Sequence, residues 1–68
     1  MINNKRIKSI RKDKGYTQAK VAKELGISVS HYKSIENGFR NTTLINAWKI
    51  SKIFGESIEY IFFDQKVH

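Results

Sequence analysis

Glycine occurs at 15, 26, 38 and 55, proline nowhere, and each glycine falls between segments with helical periodicity. Because glycine takes the left-handed backbone that ends a helix without a Cβ clash, this spacing divides the chain into helix-sized pieces. Ile7 and Ile10 lie three apart in the first piece. Val21, Ala22 and Leu25 mark the second, Tyr32 and Ile35 the third, and Leu44, Ala47, Ile50 and Phe54 trace one face of a longer fourth. A last run, Ile58, Ile61 and Phe62, repeats the pattern. Thr17, Ser28, Thr43 and Ser57 each stand just ahead of a periodic run, where a hydroxyl can accept from an orphan backbone N–H. None is followed three residues later by Glu or Gln, so the reciprocal capping box is missing. The expectation is an all-α bundle of five helices forming a single domain over residues 1–68. A short extended C-terminal tail is the alternative at the end, since Tyr60-Ile61-Phe62-Phe63 would also suit a strand.

A chain of 68 residues buries only about 60% of the surface its unfolded form exposes, which leaves no room for a two-domain enzyme. Without cysteine there is neither a disulfide nor a thiolate metal site, and His31 and His68 are too few and too far apart for a zinc clip. No metal or other cofactor is expected. The 40% hydrophobic content suits a modest core and excludes a membrane span. Met1 and Ile2 are followed at once by Asn3, Asn4, Lys5 and Arg6 instead of the apolar run of a signal peptide, which places the chain in the cytoplasm. Stability must come from packing, including packing against a second copy.

The formal charge of +7 is unevenly spread. Residues 1–23 hold eight basic residues against Asp13 alone, whereas residues 24–68 hold five of each sign. Such asymmetry suits a polyanionic partner, nucleic acid or an anionic membrane surface, with a solvated face as the plain alternative. The membrane reading is weak, because the basic stretch at 5–14 offers only Ile7 and Ile10 as an apolar face.

The informative window is Gln18 to Asn37, QAKVAKELGISVSHYKSIEN. Two short helices separated by Gly26-Ile27-Ser28 are joined too tightly to lie parallel and suit a sharp crossing. Ala22 is small where the second would press closest on the first, and Val21, Leu25, Ile27, Tyr32 and Ile35 would be buried beneath. Val29, Ser30, His31, Lys33, Ser34 and Asn37 then point outward, short, polar or basic, as a helix laid into a major groove requires.

With these residues in view the chain resembles the helix-turn-helix domain of the phage repressor and Cro type, the Xre family, from about Ile7 to Phe62. The matching motifs are Ile10-Arg11, Gly15-Tyr16-Thr17-Gln18, Val21-Ala22-Lys23-Glu24-Leu25-Gly26-Ile27-Ser28, Ile35-Glu36-Asn37-Gly38, Leu44 with Ile50, and Gly55-Glu56-Ser57-Ile58. The resemblance implies a DNA-binding regulator and assigns roles. Gln18 would contact the DNA backbone; Val29, Ser30, Lys33 and Ser34 would reach base edges; Asn37 and Arg40 would hold phosphates, with Ser28 and His31 completing the DNA-binding set. Arg11 and Glu36 would form a structural ion pair.

Four departures stand out. Tyr32 replaces an aliphatic residue, so its ring is expected to be partly buried with the hydroxyl at an edge. Lys20 replaces a common acidic residue, and Thr42 a frequent proline. Ala47 replaces leucine, with Trp48, Ile53 and Phe54 expected to fill the space. Base readout by Val29 and Lys33 would combine contact with thymine methyls and hydrogen bonds to guanine. His31 has a surface position as its plain reading, and Trp48 core or interface packing.

The functional expectation is a transcriptional regulator, a repressor, binding double-stranded DNA as a homodimer on an inverted repeat. The dimer would form through Trp48, Tyr60 and Phe63, the last two being aromatic surface that a helical tail leaves without an internal partner. The alternative is an antitoxin or adaptor of the same fold, acting mainly through a protein partner. An enzyme is not expected: there is no nucleophile triad at workable spacing, no glycine-rich phosphate loop and no paired carboxylates on one helix face.

Overall fold

A computed structural model describes residues 5–38 and 42–63. Among these are five helices and no strand: α1 (Lys5–Asp13), α2 (Gln18–Leu25), α3 (Val29–Glu36), α4 (Leu44–Phe54) and α5 (Ile58–Phe62). Residues 58–62 are therefore helical, not extended. Their start is capped by Ser57, and Ile61 and Phe62 turn into the core, which a two-sided strand at this position would not allow.

Local chemistry sets the helix boundaries. The hydroxyls of Thr17, Ser28, Thr43 and Ser57 accept from the backbone N–H three residues on, at 3.0 to 3.2 Å. At the other end of α2, Gly26 sits at φ +74° and the Ile27 N–H donates to the Ala22 carbonyl at 3.1 Å, closing a Schellman turn. That turn aims the chain straight into Ser28, the cap of α3.

α2 and α3 pack against each other, α4 closes over α2, and α1 lies against both α3 and α5. Ile7, Val21, Tyr32, Ile35, Ile50, Phe54, Ile61 and Phe62 are essentially inaccessible at their shared centre. α4 departs from its expected face. Leu44 is 83% exposed while Asn46 is buried; the face of α4 that meets the core is formed by Ala47, Ile50 and Phe54, with Ile53 packed at its edge. Trp48 likewise does not fill the space beside Ala47 but stands half in solvent.

The conformation at Gly26 is unfavourable for any residue with a Cβ, although a methyl there would meet no neighbour within 4 Å. Gly26→Ala is therefore expected to cost about 1–2 kcal/mol through backbone strain alone. Thermal denaturation should show a drop of about 4–8 °C per kcal/mol for a domain of this size. An unchanged melting temperature would mean that the turn is not under this constraint.

Candidate nucleic-acid interface

The site is built around a buried charge pair. Arg11, in the last turn of α1, donates from Nε to Glu36 Oε2 at 2.8 Å and from Nη2 to Glu36 Oε1 at 3.1 Å, and Glu36 is the last residue of α3. The carboxylate side chain is fully buried and the guanidinium nearly so. A third donor of Arg11, Nη1, reaches the Tyr16 carbonyl at 2.8 Å. Gln18, first residue of α2, adds its Nε2 to Glu36 Oε1 at 3.2 Å. One carboxylate thus ties together the end of α1, the start of α2 and the end of α3.

Burial pushes the Glu36 carboxyl up, but the hydrogen bond from Arg11, the nearby Tyr32 hydroxyl, the Gln18 amide and the Arg11 charge together hold it below the usual carboxylate range. Arg11 is raised by its hydrogen bond to Glu36 against the opposing effect of burial. Tyr32 is not at an edge. It is completely buried, and its hydroxyl lies beside the pair without closing a hydrogen bond of good geometry. Burial first, and then the neighbouring carboxylate, raise that phenol well above its ordinary value.

In front of this network lies the outer face of α3. Val29, Ser30 and Lys33 are exposed, His31 and Ser34 half-buried, and Asn37 exposed beyond the last turn. Lys33 is the one lysine or arginine of the helix. Ser34 Oγ donates to the Ser30 carbonyl at 3.2 Å, which leaves its lone pairs outward as acceptors. Ser28 Oγ is engaged as the cap of α3. Gln18 is half-buried with one amide proton committed to Glu36, so only its second N–H and its carbonyl remain for an outside ligand. Arg40 lies outside the described residues.

The remaining predicted positions are split. Trp48 and Phe63 are exposed at 51% and 45%. Tyr60, expected to lack an internal partner, has one: it is half-buried against the core with the Arg6 guanidinium 4.6 Å from its ring centroid. Its place in a self-association surface is correspondingly reduced. Sequence reasoning missed Leu44 and Ile45, both strongly exposed on α4. No sequence period marks them as exposed, because adjacent apolar pairs such as Val21 and Ala22, or Ile61 and Phe62, share the core elsewhere in the chain.

A bundle in which a braced, outward-facing third helix follows a tight turn defines a helix-turn-helix DNA-binding domain. A helix-turn-helix family model matches residues 7–61, and the chain belongs to this family, in its Cro/C1-type branch of transcriptional regulators. It is 37% identical over 60 residues to the control protein C.MunI of a Mycoplasma species, covering 87% of this chain and 81% of that protein. It is 40% identical over 61 residues to the uncharacterised HTH-type transcriptional regulator YqaF of Bacillus subtilis, covering 85% and 75%. Among solved structures it is similar to the N-terminal DNA-binding domain of SinR from Bacillus subtilis, at 30% identity and a TM-score of 0.75, covering 96% of this chain and 94% of that one. The family is a class of DNA-binding regulators, not of enzymes. Among the described residues no helix is long and apolar enough to cross a membrane.

Removing one partner of a buried ion pair strands the other charge, so Glu36→Ala is expected to cost about 3–5 kcal/mol at neutral pH. A carboxylate held low in the folded state contributes stability above the unfolded value of about 4.3, and that contribution is lost as pH falls through the folded value. Urea denaturation across an acid pH series should therefore show the parent's advantage over Glu36→Ala shrinking below about pH 4.3. A difference independent of pH would show that the charge of Glu36 is not what stabilises the fold.

Proposed function

We propose that the chain is a sequence-specific transcriptional regulator that acts in the cytoplasm as a homodimer and represses by occupying a promoter. The observation that carries this reading is the outer face of α3, where Val29, Ser30 and Lys33 are exposed on a helix anchored from behind by the Arg11–Glu36 pair. In the groove, Val29 supplies apolar contact for a thymine methyl, Lys33 donates to guanine, and Ser34 accepts from an exocyclic amine. Gln18, Asn37 and Arg40 fix the register on phosphates, and Ser28 and His31 flank the face. The names of the relatives, a control protein and a transcriptional regulator, support the assignment.

One such head reads too few base pairs to select a site from a genome, whereas two heads double the contacts and also select a spacing. Two-fold symmetry sets the recognition helices about 34 Å apart and makes the operator an approximate inverted repeat. The exposed apolar residues Leu44, Ile45, Trp48 and Phe63 provide the self-association surface. An adaptor that acts mainly through another protein would use the same surface, and the two readings separate on DNA.

If a dimer neutralises about 6–10 phosphates, affinity for DNA flanking its own gene should fall about 10³–10⁵-fold between about 50 and 200 mM salt in a gel-shift titration. Lys33→Ala should change which sequences are preferred, while Gln18→Ala and Asn37→Ala weaken binding to cognate and scrambled DNA alike. A flat salt profile would sink the DNA reading, and uniform losses from all three variants would remove the base-reading role of Lys33.

A further inference from the structure

Between the first turns of α4 and the helix α5 the surface opens into a hollow of about 180 Å³, lined chiefly by Leu44, Ala47, Ile58, Phe62 and Phe63. The lining is almost wholly apolar, and Ala47 contributes no side chain long enough to fill it. An apolar cavity of about 150 Å³ accepts a benzene ring, so the hollow has room for one aromatic group. We propose that it receives the Trp48 ring of a second copy of the chain, and that this reciprocal insertion is the centre of the dimer. The inference rests on the homodimer reading above and names its contact.

Two-fold symmetry is the first argument. In an isologous interface the group that fills the hollow must come from the same surface that contains it, and close by. Leu44 and Phe63 already pack as the hollow's own walls, so the side chain that adds to it is sought among the exposed residues beside it. Of the large apolar side chains still exposed there, Ile45 and Trp48, only Trp48 is aromatic, and it directly follows Ala47. Lys52 Nζ lies 5.5 Å from the Trp48 ring centroid and supports it from within its own helix.

Charge is the second argument. Residues 42–63 carry Lys49 and Lys52 against Glu56 and Glu59 and are neutral, whereas residues 5–38 carry nine basic residues against three acidic ones. Two copies that each bear +7 repel, and their approach is least opposed at the hollow, whose walls carry no charged residue. Around it Lys49 and Lys52 of one copy can face Glu59 of the other, Glu56 being paired with Lys14 of its own chain at 3.8 Å. The other occupants fit less well. Residues 64–68, Asp-Gln-Lys-Val-His, offer one apolar side chain and no aromatic ring. A nucleic-acid phosphate finds no cation among the lining residues.

Trp48 is the sole tryptophan, so its emission reports the contact without a label. The full chain is diluted from high micromolar to nanomolar while sedimentation gives the dimer fraction and acrylamide quenching gives the accessibility of Trp48. The expected result is a blue-shifted, quencher-protected emission that follows the dimer fraction. Ala47→Leu, which fills the hollow, should weaken self-association by about 30-fold, the scale of losing one buried aromatic anchor. A dimer whose tryptophan stays as accessible as in the monomer overturns the insertion and leaves the homodimer reading standing, as does a folded Ala47→Leu chain that dimerises like the parent. A chain that is monomeric throughout, on operator DNA as well, defeats the homodimer reading itself. Should Ala47→Leu fail to fold, quenching of the unsubstituted chain decides alone.

Discussion

The arrangement of the helices turns on one buried carboxylate. Glu36 lies where water cannot reach it, and an ionised group in such a place is tolerated only when hydrogen bonds replace its hydration. Arg11 and Gln18 supply three. These donors come from two other helices, so the requirement to satisfy Glu36 is also a requirement on where α1 and α2 sit relative to α3. A hydrophobic replacement could stabilise as well, since buried ion pairs often do no better than apolar side chains of equal volume. It would not specify geometry in the same way, because apolar contact is non-directional and hydrogen bonds from a planar guanidinium are not.

Tyr32 sharpens this point. Its ring occupies core space, and its hydroxyl is buried beside the pair without a well-formed hydrogen bond. An unsatisfied buried hydroxyl costs about 1–3 kcal/mol. The favourable field between the phenol and the Glu36 carboxylate offsets part of that, and the same proximity helps hold the carboxylate ionised. The recognition helix therefore meets the charge network through two of its own residues, one turn apart.

What could be read from the sequence was local. Gly26 after Leu25 and the hydroxyls ahead of four helices act within a few residues of themselves, and the structure places the helix ends there. The alternation of buried positions through Val21, Leu25, Tyr32 and Ile35 is likewise a property of one helix at a time. Positions set by tertiary geometry were not legible. Leu44 follows the apolar period of α4 but stands 83% exposed at the rim of the hollow beside α5, and Tyr60 acquires Arg6 across two helices separated by most of the chain. Gln18 reads as an open phosphate ligand until Glu36 is found 3.2 Å from its amide nitrogen. In each case the deciding partner is far away in sequence, and no periodicity encodes it.

The helix that carries neither the outward face of α3 nor the exposed apolar surface is the one that relates them. α1 holds α3 through Arg11 on Glu36 and holds α5 through Arg6 on the Tyr60 ring, besides the apolar contact of Ile7 and Ile10. Those two arginines are five residues apart, about 7.5 Å along a helix axis. In a symmetric dimer the recognition helices must meet grooves about 34 Å apart, so a small rotation of α3 relative to α5 is magnified across the whole span. Two directional contacts on one short rigid rod restrict that rotation more than apolar packing alone can. In the dimer proposed above, the basic helix would serve the reading of DNA through geometry, by fixing the distance between two heads, in addition to whatever its charge contributes to affinity.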